Sequence, residues 1–136
     1  MLEPEGSWLR CRGLGRERLV RYLSDYLNGL GYASEEDQHE EGGRNTSIVV
    51  SKLSRVNPSV PVSLERLEFR ILSTGGGCLL YWDFPKKLEP GVDGSKVKRF
   101  VEEAYSHLER AISTGSHGMA KVRRDRPTDL PFEIQH

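Results

Sequence analysis

Cysteine is scarce in this sequence, which contains only Cys11 and Cys78. Two cysteines far apart in the chain cannot build a disulfide framework or a zinc site, because both need several clustered ligands. We expect two free thiols, buried or half-buried, with a Cys11–Cys78 bridge as the open alternative. Long apolar runs are also missing, and no segment approaches the roughly 18 apolar residues that a membrane span requires. The N-terminus lacks the pattern of a signal peptide, so we expect a cytoplasmic protein.

Net charge is absent as well, because 20 Lys and Arg residues balance 20 Asp and Glu residues. This balance argues against a general affinity for nucleic acid or for an anionic membrane. The charges are unevenly distributed, however. Arginines crowd residues 10–21, residues 22–41 contain acids but no Lys or Arg, and basic residues crowd residues 121–126. We therefore expect separate charged surfaces.

Catalytic motifs are missing too. None of the four histidines has a Ser, Cys or Asp partner at a spacing typical of nucleophilic catalysis. Residues 35–41 include metal-ligand side chains, but alternation along a strand leaves only Asp37 and His39 as plausible ligands on one face. We predict no catalytic residue, no metal site and no cofactor, and we favour a non-enzymatic protein.

The clearest pattern in the chain is a β-hairpin in residues 65–84. Two segments alternate apolar and other residues with a period of two, which gives each segment a buried face. A two-residue Gly75-Gly76 turn, with the positive φ angles that glycine allows, keeps all of these apolar residues on one face. A phosphate-binding glycine loop is disfavoured, because a strand and not a helix follows the glycines. The buried face comprises Leu67, Phe69, Ile71, Cys78, Leu80, Trp82 and Phe84.

Helical patterns flank the strands. Apolar residues recur every three or four positions in residues 15–30 and again in residues 97–112. We interpret the polar residues 32–41 as an edge strand rather than a solvated loop, paired with the β-branched strand 46–53 through a turn at residues 42–45.

The order helix, four strands, helix (αββββα) predicts an α+β two-layer sandwich with a four-stranded antiparallel meander. Residues 1–115 are expected to form this single domain. Residues 116–136 lack hydrophobic periodicity, so we expect an extended C-terminal tail.

The predicted register places a mixed, exposed set of side chains on the outer face of the hairpin, away from the core. Arg70 opposite Tyr81 is expected to form a cation–π pair. Mixtures of Arg, Tyr and Leu are typical of protein interfaces. Our first hypothesis is a binding or assembly domain that meets a protein partner, or a second copy of itself, through this face or an edge strand. The predicted surface comprises Arg66, Glu68, Arg70, Leu72, Leu79, Tyr81 and Asp83.

Nucleic-acid binding is the second hypothesis. The segment Gly94-Ser95-Lys96-Val97-Lys98-Arg99 resembles the start of the final helix of double-stranded-RNA-binding domains, and this resemblance implies that its basic side chains contact phosphates. Basic residues near both ends of the chain are expected to bind the nucleic acid together with this helix start. The candidate set is Arg16, Lys96, Lys98, Arg99, Arg123 and Arg124.

A small-ligand pocket between the helices and the sheet is the third hypothesis. Aromatic residues would line it, although aromatic side chains on inward faces also suit an ordinary core. The predicted walls are Phe69, Trp82, Phe84, Phe100 and Tyr105.

Overall fold

The computed structural model describes residues 7–41, 43–61, 64–82 and 94–124. Within these residues, six strands form one antiparallel sheet in the order β2-β3-β4-β5-β1-β6. The predicted α+β class and the antiparallel sheet are therefore confirmed. In chain order the elements are β1 (Ser7–Arg12), α1 (Arg16–Gly29), β2 (Tyr32–Glu41), β3 (Arg44–Leu53), β4 (Arg66–Thr74), β5 (Gly77–Trp82), α2 (Gly94–Gly115) and β6 (Lys121–Arg123).

The predicted αββββα layout is wrong in its strand count, because two further strands join the sheet. β1 precedes the first helix and pairs with β5, and β6 pairs with β1 inside the segment expected to be an extended tail. Leu9 and Cys11 alternate with Arg10 and Arg12, which is a strand pattern of only four residues. Such a short pattern does not specify a partner, and the partner strand β5 lies far away in the sequence.

Strand β2 is an edge strand, as predicted. It pairs with β3 along its whole length, from Tyr32 opposite Leu53 to Glu41 opposite Arg44. The turn is shorter than predicted, because β3 already begins at Arg44. Gly43 in this turn has a φ of 77°, a left-handed conformation that favours glycine.

The register of the central hairpin is confirmed. Phe69 lies opposite Trp82 on the inner face, and Arg70 lies opposite Tyr81 on the outer face. The centroids of the Phe69 and Trp82 rings are 6.2 Å apart, which is a favourable distance for an aromatic pair. The pairings predicted for residues 83–84 lie outside the described residues.

The glycines of this hairpin serve a purpose different from the one predicted. Neither Gly75 nor Gly76 has a positive φ, so the turn itself does not demand glycine. The required glycine is Gly77, because a Cβ atom there would lie 1.9 Å from the carbonyl oxygen of Cys11 on β1. The N–H of Gly13 also donates to the carbonyl oxygen of Gly76 at 2.8 Å. The glycine run therefore allows β1 to pack closely against β5.

One hydrophobic core lies between the two helices and the inner face of the sheet. Both helices contribute their apolar stripes, and the sheet contributes alternate residues from β1, β3, β4 and β5. Burial of these side chains provides the main stabilisation of the fold. Completely buried members of this core include Leu9, Leu19, Leu23, Leu27, Val49, Ile71, Leu80, Val97, Leu108 and Ile112.

We expect Gly77→Ala to lower the free energy of unfolding by about 3 kcal/mol, because the added methyl group would force β1 away from β5. Gly76→Ala is the matched control, since it adds the same group where nothing lies within 4 Å. The control should change the free energy of unfolding by less than about 1 kcal/mol. Guanidinium denaturation of both variants measures the difference, and equal midpoints would contradict the close approach of β1 to β5.

Three buried ionisable groups predict a loss of stability at alkaline pH. A hydrogen bond with Cys78, together with burial, raises the pKa of the Cys11 thiol above its ordinary value of 9.0. Burial likewise raises the pKa of the Tyr32 and Tyr105 hydroxyls above their ordinary value of 10.0. These groups keep their protons in the folded state and lose them in the unfolded chain as the pH rises. Their contribution to stability is therefore complete below the ordinary pKa values and is lost above them.

We expect the free energy of unfolding to fall as pH rises from about 9 to about 11, by about 1.4 kcal/mol per pH unit for each group deprotonated only in the unfolded chain. Denaturation midpoints across this range measure the slope. Cys11→Val serves as the control, because it should remove the part of the slope that begins near pH 9.0. A stability that stays constant up to about pH 11 would show that these groups are not held neutral.

Candidate binding surface

The outer face of the sheet is the surface predicted to meet a partner. Its polar residues on β4 keep contact with solvent, since Arg66 and Glu68 are exposed and Arg70 is half-buried. Asp83 lies outside the described residues. The β4 side chains therefore stay candidates for partner contact.

The apolar residues of the same face are buried, although we expected them to be exposed. Leu72, Leu79 and Tyr81 expose 0, 3 and 5% of their surface. Trp8 of β1 lies opposite Tyr81, with the two ring centroids 4.3 Å apart. Together with Leu79, these two rings form a second apolar cluster. The apolar part of the predicted surface thus packs within the chain.

The basic residues from the two ends of the sequence meet on the outer face. Arg10 and Arg12 point outward from β1, because the residues between and beside them point into the core. β6 lies next to β1 and places Arg123 opposite Arg10 and Lys121 opposite Arg12. All four side chains are exposed. Pairing of β1 with β6 thus joins two sequence clusters into one basic patch.

A fifth cation, Arg44, extends this patch from the other side of the hairpin. It begins β3, and its guanidinium group donates to the carbonyl oxygen of Ser73 on β4 at 3.4 Å. All five cations line one concavity of about 690 Å³, whose floor includes the glycine turn and Leu79. None of the described residues that line this concavity is acidic. We call this set the basic surface: Arg10, Arg12, Arg44, Lys121 and Arg123.

Like charges face each other within the basic surface. The Cβ atoms of residues directly opposite in an antiparallel pair lie about 5 Å apart, so like charges on such neighbours repel. Both β1–β6 pairs, Arg10 with Arg123 and Arg12 with Lys121, are of this kind. An anionic ligand placed over the basic surface would relieve this repulsion, which makes the surface a candidate anion-binding site.

Most residues of the basic surface were missing from the predicted sites. Arg123 was a nucleic-acid candidate, whereas Arg10, Arg12, Arg44 and Lys121 were assigned to no site. The alternation in β1 and the two basic clusters were visible in the sequence. Only the pairing of β1 with β6 shows that the clusters lie on one face.

The residues predicted for nucleic-acid binding do not form one surface. Lys96, Lys98 and Arg99 are exposed in the first turns of α2, in the helical layer. Arg16 is half-buried at the start of α1. Arg123 belongs to the basic surface, on the outer face of the sheet. Two separate basic regions are therefore candidates for phosphate contacts.

Arg124 has a structural role instead. Its guanidinium group lies 3.1 Å from the carboxylate of Glu102 and 3.5 Å from that of Glu109, both on α2. The same group lies 5.2 Å from the centroid of the Tyr105 ring, a cation–π distance. Arg124 thus attaches the end of β6 to α2.

The space between α2 and the sheet is small. The cavity there measures about 10 Å³, which is enough for at most about one water molecule. Among the described residues, the walls predicted for a ligand pocket are therefore packed together, while Phe84 lies outside the described residues. The lining residues are Leu67, Phe69, Trp82, Phe100, Val101, Ala104 and Tyr105.

The two cysteines lie directly opposite each other on β1 and β5. Both are free and buried, as predicted. The thiol of Cys78 donates to the carbonyl oxygen of Leu14 at 3.4 Å. Because the raised pKa of Cys11 keeps its thiol protonated, the reactive thiolate is not formed near neutral pH. We interpret this pair as part of the core.

The described part of the chain contains no group of three or more His, Cys, Asp or Glu side chains arranged to hold a metal ion. Neither of its helices is long and apolar enough to cross a membrane. No family model, curated protein or solved structure matches this chain. The shape and charge of the outer face are therefore the features that indicate a function.

We expect Lys121→Glu to raise the free energy of unfolding by about 0.2–1 kcal/mol at low salt, because it replaces a repulsive cross-strand pair with an attractive one. Lys121→Gln, which removes the charge without reversing it, should give a smaller increase. Both increases should shrink at about 1 M NaCl, where the screening length is about 3 Å. Denaturation at low and high salt measures them. A salt-independent loss of stability in Lys121→Glu would contradict the repulsion between Lys121 and Arg12.

Proposed function

We propose that this chain is a non-enzymatic binding domain that holds nucleic acid by its phosphate backbone on the basic surface. The observation that carries this proposal is the convergence of five cations from three strands on one concavity. Arg and Lys side chains that contact phosphates release condensed counterions, which supplies most of the affinity in sequence-independent binding. The zero net charge does not oppose this proposal, because at a screening length of about 8 Å the local charge dominates.

The extent of the basic surface suits a polymer rather than a single phosphate. Lys121 on β6 and Arg44 on β3 are separated by four strand spacings in the sheet order, or about 19 Å at about 4.8 Å per spacing. Arg12 lies between them, opposite Lys121 on one side and Gly77 on the other. One strand of a duplex carries a phosphate about every 3.4 Å of helix axis, so a row of this length is longer than a single phosphate needs and suits a chain of phosphates.

Recognition of bases is not part of the proposal. Proteins that hold single strands commonly stack bases on aromatic rings. On the outer face, the rings of Trp8 and Tyr81 expose only 6 and 5% of their surface and pack against each other at a tilt of 32°. Contacts to phosphates fix position without reading sequence. We therefore expect binding with little sequence preference.

The decisive experiment compares two charge-reversed variants. The β6 reversal variant carries Lys121→Glu and Arg123→Glu, each of which places an acid opposite an arginine of β1. The helix reversal variant carries Lys98→Glu and Arg99→Glu at two exposed positions of α2. Both variants change the net charge equally, so the comparison isolates the position of the charge. The helix reversal variant also tests the phosphate site that the sequence suggested.

We expect the β6 reversal variant to bind duplex RNA, duplex DNA and single-stranded DNA at least about tenfold more weakly than the wild type at low salt. The helix reversal variant should stay within about threefold of the wild type. Fluorescence anisotropy across a salt series measures both effects. The slope of log affinity against log salt for duplex DNA should become shallower by about 1.8 in the β6 reversal variant, since two phosphate contacts are lost.

Three results would contradict the proposal. The first is a wild type that binds none of these nucleic acids at low salt. The second is a loss of affinity in the helix reversal variant alone. The third is an equal loss of affinity in both variants. Heparin is included as a non-nucleic polyanion. If the wild type binds heparin but none of the nucleic acids, the basic surface binds anions of another class.

A protein partner is the second candidate. The exposed Arg66 and Glu68 of β4 lie on the same outer face and offer ion pairs. Exposed ion pairs contribute little on their own, about 0–1 kcal/mol each. A protein partner would therefore have to engage the basic surface as well, which requires an acidic segment.

A further inference from the structure

The two edges of the sheet carry opposite charge. β2 forms one edge, and β6, with β1 beside it, forms the other. Each edge carries four exposed charged side chains that share one sign. We call the first group the acidic edge: Glu35, Glu36, Asp37 and Glu40. We call the second group the basic edge: Arg10, Arg12, Lys121 and Arg123.

The two edges cannot meet within one chain. Five strand spacings separate β2 from β6, or about 24 Å at about 4.8 Å per spacing. This distance exceeds the screening length of about 8 Å at physiological salt. The attraction between the edges therefore acts between copies of the chain.

Two edges that carry the same charge repel each other, which disfavours a symmetric contact between two copies of the chain. Two acidic edges would place carboxylates against carboxylates, and two basic edges would place guanidinium groups together. Contact between an acidic edge and a basic edge is attractive instead, and it joins two different surfaces of the same protein. The backbone of each edge strand also has one side that no described strand pairs with, which permits a neighbouring strand to add to the sheet.

Two of the four acids of the acidic edge lie on the same face as the basic edge. Asp37 lies opposite Ile48, and Ile48 lies opposite Arg70, which places Asp37 on the outer face of the sheet. Glu35 lies two residues away and therefore on the same face. The basic edge presents its side chains on this outer face as well. A sheet continued from one copy to the next thus brings acids and bases together on one side.

We propose that copies of this chain associate head to tail, with the acidic edge of one copy against the basic edge of the next. Only three residues of β6 are available to pair with a neighbouring strand, so charge contributes most of the attraction. The association is therefore reversible and weakens as salt increases. Because the basic edge is part of the basic surface, a second copy and a nucleic acid compete for it. This competition rests on the proposed function, whereas the self-association does not.

Sedimentation velocity at low salt tests the association. The wild type should show a weight-average mass that rises with concentration to at least twice that of the monomer, and about 0.5 M NaCl should restore the monomer. The β6 reversal variant places two acids opposite Arg10 and Arg12 and so removes the net positive charge of the basic edge. The β2 reversal variant, Glu35→Lys with Asp37→Lys, leaves two acids beside two lysines and so removes the net negative charge of the acidic edge. Each variant alone should stay monomeric, because one of its two edges then has no net charge to attract the other.

The decisive sample is an equimolar mixture of the two variants. The unchanged acidic edge of the β6 reversal variant is complementary to the unchanged basic edge of the β2 reversal variant, and the acids introduced on β6 also attract the lysines introduced on β2. We expect the mixture to recover the association that each variant loses alone. Unfolding curves of the separate variants show whether each is folded, and the mixture also controls for folding because unfolded variants would not recover the association.

Several outcomes would overturn the inference. A wild type that stays monomeric at low salt and high concentration excludes the association. Variants that associate as strongly as the wild type show that another surface is used. A mixture that stays monomeric excludes contact between complementary edges.

Nucleic-acid binding of the same proteins separates this inference from the proposed function. The β2 reversal variant keeps the basic surface, so its affinity for duplex DNA should equal or exceed that of the wild type. If no protein binds nucleic acid but the mixture associates, the proposed function fails and the self-association stands. If nucleic acid binds and the mixture stays monomeric, the reverse holds.

Discussion

The close approach of β1 to β5 is the constraint on which the rest of the structure depends. It requires glycine at position 77, where a Cβ atom would lie 1.9 Å from a backbone oxygen of β1. Once β1 lies beside β5, its inward residues Leu9 and Cys11 complete the core, and Trp8 covers Tyr81 on the opposite face. The other side of β1 then becomes the pairing edge for β6. One short strand thus connects the core, the outer apolar cluster and the C-terminal strand.

The same strand creates the charged surface, because alternation gives it two different faces. Residues that point inward are apolar and contribute to stability, whereas Arg10 and Arg12 point outward and meet like charges from β6. Repulsion of this kind lowers stability in the isolated chain. Proteins commonly retain such a cost where it serves binding, since selection for function tolerates it above a stability threshold. At the basic surface, therefore, the arrangement of charges lowers the stability of the fold.

The candidate site was predictable only in part. The outer face of the hairpin and the residues on it followed from alternation, and the register of Arg70 opposite Tyr81 is confirmed. Burial of Tyr81 was not predictable, because the ring that covers it comes from Trp8, far away in the sequence. The basic clusters were visible, but Arg123 and Arg124 show why adjacency in sequence is misleading. Arg123 joins the outer face, while Arg124 turns to the acids of α2.

The sequence by itself favoured an edge strand at residues 32–41 and free thiols, while it left both open. It determined the rest of the local structure: both helices, the strand character of β3 to β5 and the hairpin register. These features depend on periodicity and on pairings between neighbouring segments, which a short window of residues contains. Only the tertiary structure decided the places of β1 and β6, the need for Gly77 and the joining of two basic clusters. The reason is physical, because the pairing of β1 with β5 depends on the fit of two surfaces that many residues separate. No local pattern encodes that fit, since a strand of six residues suits several partners until the rest of the core is in place.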